Sequence, residues 1–214
     1  MDSLIQAITV YAIPVIFAIT LHEAAHGYVA RMFGDATAWM LGRVTLNPVK
    51  HIDPIGTLLV PAVLLFVSKG AMMFGWAKPV PVNFDNLRKP KQHMIWVAAA
   101  GPAANIAMAL LWALSLKLQQ IVGAQEEFFI EMARAGIVVN LVLMALNLLP
   151  IPPLDGGRIV TGLLPRSLSQ SFASIERYGF LILLVLIAVP GLLSQLLSPF
   201  VAGGLRAIQM LFQF

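Results

Sequence analysis

Two histidines and a glutamate near the N-terminus have the spacing of a zinc site. In the segment His22-Glu23-Ala24-Ala25-His26 the imidazoles are four residues apart, which is about 40° around a helix, so both face the same way. Their nitrogens can bind one zinc ion, and the carboxylate of Glu23 can act as a general base on water. A shuffled chain of this composition would contain about 0.002 such matches. We therefore interpret the segment as a metal site rather than as polar residues packed between helices.

The composition places this segment in a membrane protein. Of the 214 residues, 59% are hydrophobic and 11% are charged, with a mean hydropathy of +0.84, whereas soluble domains average about 25% charged residues. So many apolar residues cannot be buried in one small soluble core. The first apolar stretch has no basic segment before it, so we expect it to be retained as a span. The net charge of +4 comes from loops between apolar segments, which is typical of membrane proteins rather than of nucleic-acid binding.

The hydropathy pattern predicts an all-α polytopic membrane protein with one domain over residues 1–214. We expect a catalytic core over about residues 1–165 and C-terminal helices over residues 175–214. About four spanning helices are predicted, with bounds taken from the apolar runs 4–33, 94–118, 135–149 and 178–197. The polar segment around residues 78–83 predicts a small extended hairpin, and residues 200–214 resemble an interfacial helix.

The distribution of basic residues decides whether the short apolar segment 55–67 crosses the membrane. It has 13 residues, whereas a spanning helix needs about 20. If it does not cross, 11 of the 14 basic residues, Lys69 among them, lie on one side; if it crosses, they divide eight against six. The positive-inside rule favours the first division. We therefore predict a short membrane-embedded, re-entrant segment, an N-terminus outside the cell and an active site nearer the cytoplasmic face.

A catalytic zinc ion needs a third protein ligand, and the sequence offers three candidates. Because the chain has no cysteine, the ligand must be an aspartate, a glutamate or a histidine. His22 lies about 27 Å along the first helix, near the basic side of the membrane core. Asp155 follows the third predicted span on that same side, after prolines that break the helix and before two glycines that permit a tight turn. We prefer Asp155, while His51 and Asp53 remain alternatives that can equally stabilise a turn through side-chain hydrogen bonds.

Three motifs together resemble the site-2 proteases, which are zinc metalloproteases that cut other proteins inside the membrane. The motifs are His22-Glu-Ala-Ala-His26 on the first span, Gly101-Pro102-Ala-Ala-Asn105 on the second, and Asn147, Pro150 and Leu154-Asp155-Gly156 at the end of the third. The resemblance covers roughly residues 1–165. Within the family, the chain is similar to the small bacterial or archaeal branch. Residues 119–133 are too few for the PDZ module of larger members, and no CBS module is expected.

The resemblance implies the reaction and its residues. One zinc ion per chain would be held by His22, His26 and Asp155, with Glu23 as the catalytic base. Asn147 corresponds to a family asparagine thought to contact the substrate or the oxyanion. The implied function is hydrolysis of peptide bonds within or next to transmembrane segments of membrane proteins, which releases cytoplasmic fragments (regulated intramembrane proteolysis). The implied partners are transmembrane protein substrates and the lipid bilayer, without nucleic acid, and the implied location is a prokaryotic inner membrane.

Several further residues have open interpretations. Asn105 is either a substrate or oxyanion contact or a hydrogen bond between helices, and Gly101-Pro102 predicts close packing or a kink. A substrate must present extended backbone, so Val80 and Val82, in a Pro-Val-Pro-Val segment, are candidates for an edge strand that pairs with it.

Two rival functions are a transporter or channel, since re-entrant segments and buried charges also mark permeation paths, and an inactive scaffold. Glu23→Gln discriminates between them, because it should abolish proteolysis and keep zinc, whereas transport would leave a measurable flux.

Overall fold

The protein is mostly helical. A computed structural model describes residues 2–67 and 75–213. Within those residues the helices are α1 (Asp2–Met32), α2 (Thr37–Met40), α3 (Val60–Val67), α4 (Pro90–Val122), α5 (Glu127–Asn147), α6 (Asp155–Leu163), α7 (Arg166–Ala173), α8 (Glu176–Ala188) and α9 (Leu192–Phe212). Short 3-10 turns cover Pro48–His51 and Phe84–Asn86, and a π-helical turn covers Pro54–Leu59.

Three helices are long and apolar enough to cross a membrane: α1 from Thr9, α4 and α5. Helices α7 and α8 meet the same test as a pair bent by 56°, so the described residues contain three candidate spans, or four if that pair is one span. The prediction of an all-α membrane protein with about four spans is confirmed at this level. Pro14 and Pro102 lie inside α1 and α4 and end neither helix.

The C-terminal span differs from the prediction of one helix over residues 178–197. Val189-Pro190-Gly191 separates α8 from α9. Pro190 has no backbone N–H and disfavours helical geometry at the residue before it. Gly191 has a φ of 79°, which glycine adopts without a steric penalty. The predicted bounds of this span are therefore wrong, and residues 200–212 continue the second of the two helices rather than forming a separate tail.

The core lies where α1, α4 and α5 pack against one another, with α6 against α4 and α9 against α5. Small residues line these contacts, and in membranes they let helix backbones approach closely. The fully buried ones are Ala18, Ala30, Ala109, Ala113 and Ala133. This packing brings the end of α1, the first half of α4 and the end of α5 to one level.

Hydrogen bonds join the residues at the start of the short apolar segment to the residues that follow it. The Trp76 N–H donates to the Gly56 carbonyl at 3.0 Å, the Thr57 hydroxyl donates to the Trp76 carbonyl at 2.8 Å, and the Lys78 N–H donates to the His51 carbonyl at 2.9 Å. The chain that leaves at Gly56 therefore returns beside its starting point at Trp76. Lys69 and the predicted end of this segment at residues 68–70 lie outside the described residues.

The extended piece at residues 75–83 has no regular secondary structure, and no strand occurs in the ranges 2–67 and 75–213. The small hairpin predicted there stays a prediction.

Candidate metal centre

Three ligand atoms from two distant parts of the chain meet between the helices. The Nε2 atoms of His22 and His26 are 3.0 Å apart. The Oδ2 atom of Asp155 lies 3.2 Å from the first and 3.4 Å from the second. All three residues are between 5% and 9% exposed. The structure therefore brings together the two histidines of the helical motif and the preferred third ligand.

The other ring nitrogen of each histidine has a hydrogen-bond acceptor. The Nδ1 of His26 is 2.7 Å from the backbone carbonyl of Val97, and the Nδ1 of His22 is 2.7 Å from Oδ1 of Asn105. Because a carbonyl oxygen only accepts, Nδ1 carries the proton in each neutral imidazole and Nε2 presents a lone pair. The close Nε2–Nε2 contact is therefore not a hydrogen bond between neutral rings.

The position between these atoms suits a cation. Two imidazole lone pairs and a carboxylate oxygen converge, and Oδ2 of Asp155 is buried without a hydrogen-bond donor among the described residues. Three such atoms repel one another unless a positive charge lies between them. Zinc binds nitrogen and oxygen at about 2.0–2.1 Å in tetrahedral geometry, which puts neighbouring ligands about 3.3 Å apart. The observed separations of 3.0–3.4 Å between the three ligand atoms fit that ligand–ligand distance. These residues can therefore hold zinc with a fourth position open.

Glycines make room for the three ligands. A Cβ atom on Gly101 of α4 would lie 2.4 Å from Nε2 of His26 and 2.5 Å from Cε1 of His22. Gly101 was expected to serve packing or a kink, and the structure places it directly against the imidazoles. A Cβ atom on Gly156 would lie 2.3 Å from the Leu148 carbonyl oxygen, so glycine lets the start of α6 pack against the end of α5. That contact places Asp155 opposite the histidines.

The carboxylate of Glu23 is held by the extended segment. Its Oε2 accepts the backbone N–H of Val80 at 2.7 Å. Arg43 fixes the same segment, because its Nη2 donates to the Lys78 carbonyl at 2.9 Å and to the Pro79 carbonyl at 3.3 Å. Val80 is buried, so this stretch of backbone lies across the residue that the sequence predicts as the base.

The remaining candidate residues occupy different places. Asn105 is fully buried against His22. The Nδ2 of Asn147 donates to the Leu143 carbonyl in its own helix at 3.0 Å, and no described hydrogen bond joins it to the three ligands. Val82 packs against a small apolar cluster formed by Ala30, Leu87 and Val97.

The two alternative ligands lie outside the cluster. The Nε2 of His51 donates to the Thr45 carbonyl at 3.0 Å. The carboxylate of Asp53 accepts the N–H groups of Ile55 and Gly56 at 2.9 and 2.7 Å. Both residues therefore stabilise turns, which was the competing interpretation of this pair.

Two buried polar residues were not predicted. Asn140 is fully buried beside Asn105. A lone asparagine within an apolar run is a signal that could have identified it, because burial in a membrane is costly without a partner. Asp35, also fully buried, accepts hydrogen bonds from Thr37, Asn83 and Asn86. Burial opposes its ionisation, but these hydrogen bonds prevail and lower the pKa of Asp35 below 3.8. Asp35 thereby anchors the far end of the extended segment.

Comparison with known proteins identifies the family. The model of peptidase family M50 matches residues 10–187. "Putative zinc metalloprotease YwhC" of Bacillus subtilis is 40% identical over 209 residues, which cover 94% of this chain and 89% of that protein. "Putative zinc metalloprotease Rip2" of Mycolicibacterium smegmatis is 34% identical over 179 residues, which cover 83% of this chain and 66% of that protein. No solved structure matches the chain. The resemblance drawn from the three motifs is confirmed: this chain belongs to peptidase family M50, the site-2 proteases, which are membrane metalloproteases.

Proposed function

We propose that this protein is a zinc endopeptidase that hydrolyses peptide bonds within or next to transmembrane segments of other membrane proteins. The observation that carries the proposal is the convergence of two bare imidazole nitrogens and a carboxylate oxygen within 3.4 Å, one residue from a glutamate. One zinc ion per chain, held by His22, His26 and Asp155, supplies Lewis acidity when it is bound.

The glutamate moves the proton. Because Oε2 of Glu23 accepts the Val80 N–H, we assign Oε1 as the atom that accepts a proton from the attacking water. The same carboxyl group then donates that proton to the leaving amine, a role worth about 10²–10⁴ in rate. The Val80 N–H holds the carboxylate in one orientation through both transfers.

Asn147 supports the developing oxyanion. In the structure its amide donates within α5, and the loop that follows α5 leads directly to Asp155. When the scissile carbonyl is present, we expect Nδ2 to rotate toward it, with an effect of about 10²–10³ in rate. Asn147→Ala should then lower kcat and leave the zinc affinity unchanged. An unchanged kcat would remove this role.

The extended segment is the proposed site of substrate pairing through Val80 and Val82. The Val80 N–H is engaged by Glu23, so the backbone N–H and carbonyl of Val82 are the groups that we assign to pairing with an unwound substrate. Replacing both valines by proline should raise KM sharply while the zinc content holds. Val82→Pro alone separates the roles, because it leaves the Val80 N–H on Glu23. Unchanged turnover in Val82→Pro would argue against strand pairing.

The proposed orientation puts the zinc site near the cytoplasm and releases cytoplasmic fragments. The return of the chain from Gly56 to Trp76 supports a re-entrant segment, and the distribution of basic residues supports an N-terminus outside. In a chain without cysteine, a Glu126→Cys variant should react with an impermeant thiol reagent from outside, and Arg88→Cys should not. Reversed labelling would overturn the orientation, and labelling of a Lys50→Cys variant from the side opposite to Arg88→Cys would mean that residues 55–67 cross.

The test of the proposed function compares membrane-protein fragments in bacterial cells that express the wild-type protein or Glu23→Gln. Glu127→Gln is the matched control, because Glu127 is exposed at the start of α5. We expect fragments with new ends in or beside transmembrane segments in the wild-type and control cells and none with Glu23→Gln. Identical fragment sets in all three would contradict a protease.

A further inference from the structure

We infer that Asn105 and Asn140 are positioning residues that fix which nitrogen of His22 carries the proton and so turn its bare Nε2 toward the zinc position. The inference rests on the proposed function in one respect only, which is that the bound zinc serves catalysis. It adds a role for α5, a helix that contributes no ligand itself. The inference is based on a chain of hydrogen bonds that begins at backbone carbonyls and ends on the imidazole of His22.

The chain begins on α5. The carbonyl oxygen of Gly136 lies 2.8 Å from Nδ2 of Asn140. A carbonyl cannot donate, so the amide group of Asn140 must present its NH₂ to that oxygen. Its Oδ1 then faces the neighbouring helix, where it lies 3.0 Å from Nδ2 of Asn105.

The second amide passes the orientation to the histidine. Nδ2 of Asn105 lies between two acceptors, Oδ1 of Asn140 at 3.0 Å and the Ala18 carbonyl at 3.3 Å. Its Oδ1 must therefore face Nδ1 of His22, which is 2.7 Å away. An amide oxygen only accepts, so Nδ1 carries the single proton of the neutral imidazole and Nε2 is left bare. Two backbone carbonyls thus determine the tautomer of a ligand.

Burial makes this orientation hard to change. Asn105 and Asn140 are both 0% exposed, so solvent does not compete for these hydrogen bonds while the two side chains fill the space. Reversing either amide would set two acceptors or two donors against each other. Every polar group of the Asn105 side chain is engaged and enclosed, which favours the hydrogen bond between helices over a substrate contact.

Two substitutions of Asn105 separate hydrogen bonding from packing. Leucine fills the volume and leaves Nδ1 of His22 without an acceptor. Alanine opens space for about one water molecule, and the site has three polar partners for it: His22 Nδ1, Asn140 Oδ1 and the Ala18 carbonyl. We expect Asn105→Leu to bind zinc about 10- to 100-fold more weakly than wild type, and Asn105→Ala to lose less. Packing alone predicts the reverse order, because a cavity destabilises more than a filled volume.

A double variant tests whether Asn140 acts through Asn105. We expect Asn140→Leu to weaken zinc binding in the wild-type background and to have no further effect when Asn105 is already leucine. Asn147→Leu is the control, with unchanged zinc affinity, because its amide bonds only within α5 among the described contacts. Zinc affinity is measured on the full chain in detergent by competition with a chelator. An Asn140 effect of equal size in both backgrounds, or a full affinity in Asn105→Leu, would overturn the inference.

A measurement on the wild-type chain avoids variants that fail to fold. Nitrogen NMR of histidine-labelled, zinc-free protein distinguishes the two imidazole tautomers, and a His22→Gln variant assigns the resonance. We expect His22 to carry its proton on Nδ1, and a proton on Nε2 would contradict the inference. The outcome is independent of catalysis: if Glu23→Gln changes no fragment while the tautomer and the affinity order hold, only the proposed function fails.

Discussion

Replacing Gly101 by alanine tests how closely α4 encloses the metal position. The added Cβ atom would lie 2.4 Å from Nε2 of His26 and 2.6 Å from Nε2 of His22, whereas ordinary contacts are 3.4–4 Å. The imidazoles must therefore move by about 1 Å, well beyond the roughly 0.2 Å tolerance of zinc–ligand distances. A displacement of that size costs about 100-fold in activity, and we expect zinc affinity to fall about 10- to 100-fold.

The direction of this effect is opposite to that of the same substitution elsewhere in a helix. Glycine to alanine in a helix interior normally stabilises by about 0.5–1 kcal/mol. Gly203 and Gly204 of α9 provide matched controls: a Cβ on Gly203 meets nothing within 4 Å, and the nearest atom to a Cβ on Gly204 is in the flexible Leu141 side chain, at 2.7 Å. Gly203→Ala should be neutral or stabilising, and Gly204→Ala should affect stability alone.

The assay for this series is chelator competition for zinc combined with thermal unfolding in detergent. Gly101→Ala should lose zinc while it keeps its helix content and a folded elution profile. Wild-type zinc affinity in Gly101→Ala would refute the argument that the imidazoles occupy this space when zinc is bound. A loss of zinc in both α9 controls would attribute the effect to general destabilisation.

The remaining predictions concern α6, acid stability and metal removal. Gly156→Ala should also lower the zinc content, because its Cβ would lie 2.3 Å from the backbone oxygen of Leu148 and must displace Asp155; a full zinc equivalent would contradict this. Asp35→Asn should lower the free energy of unfolding by about 1–3 kcal/mol at neutral pH. Because the pKa of Asp35 is lowered in the fold, that difference should be complete above pH 3.8 and disappear as the pH falls below it; a constant difference in unfolding scans across this range would exclude the cause. Chelation should lower the unfolding temperature, and zinc at 100 times its Kd should restore about 2.7 kcal/mol, whereas an unchanged temperature would mean that the three ligands hold no ion.

Local spacing made the metal ligands predictable. His22 and His26 lie four residues apart on one helix, so their common direction follows from helix geometry alone. Asp155 is distant in the sequence, but the length of each apolar run fixes the depth at which a span ends. The prolines before that aspartate predict the break after α5, whereas the two glycines expected to form a tight turn are helical and lie in the first turn of α6.

The rotation of each helix about its axis could not be predicted. The contacts of α4 and α5 with α1 depend on that rotation, and they involve Asn140, Asn105 and Gly101. A single sequence specifies the depth of a residue in the membrane better than it specifies such contacts. The contact between Val80 and Glu23 involves a backbone N–H, which leaves no signature in residue type. Proline and glycine in Val189-Pro190-Gly191 indicate a helix break. The break was not predicted, because the continuous high hydropathy of residues 178–197 favoured a single span.

Zinc content tests the central claim most directly. We expect one zinc ion per chain in purified wild-type protein, one in Glu23→Gln, and much less than one in Asp155→Ala, because only the last variant removes a ligand of the three-atom cluster. Proteolysis should be absent from both variants. A full zinc equivalent in Asp155→Ala would contradict the assigned ligands, and proteolysis by Glu23→Gln at the wild-type rate would contradict the assigned base.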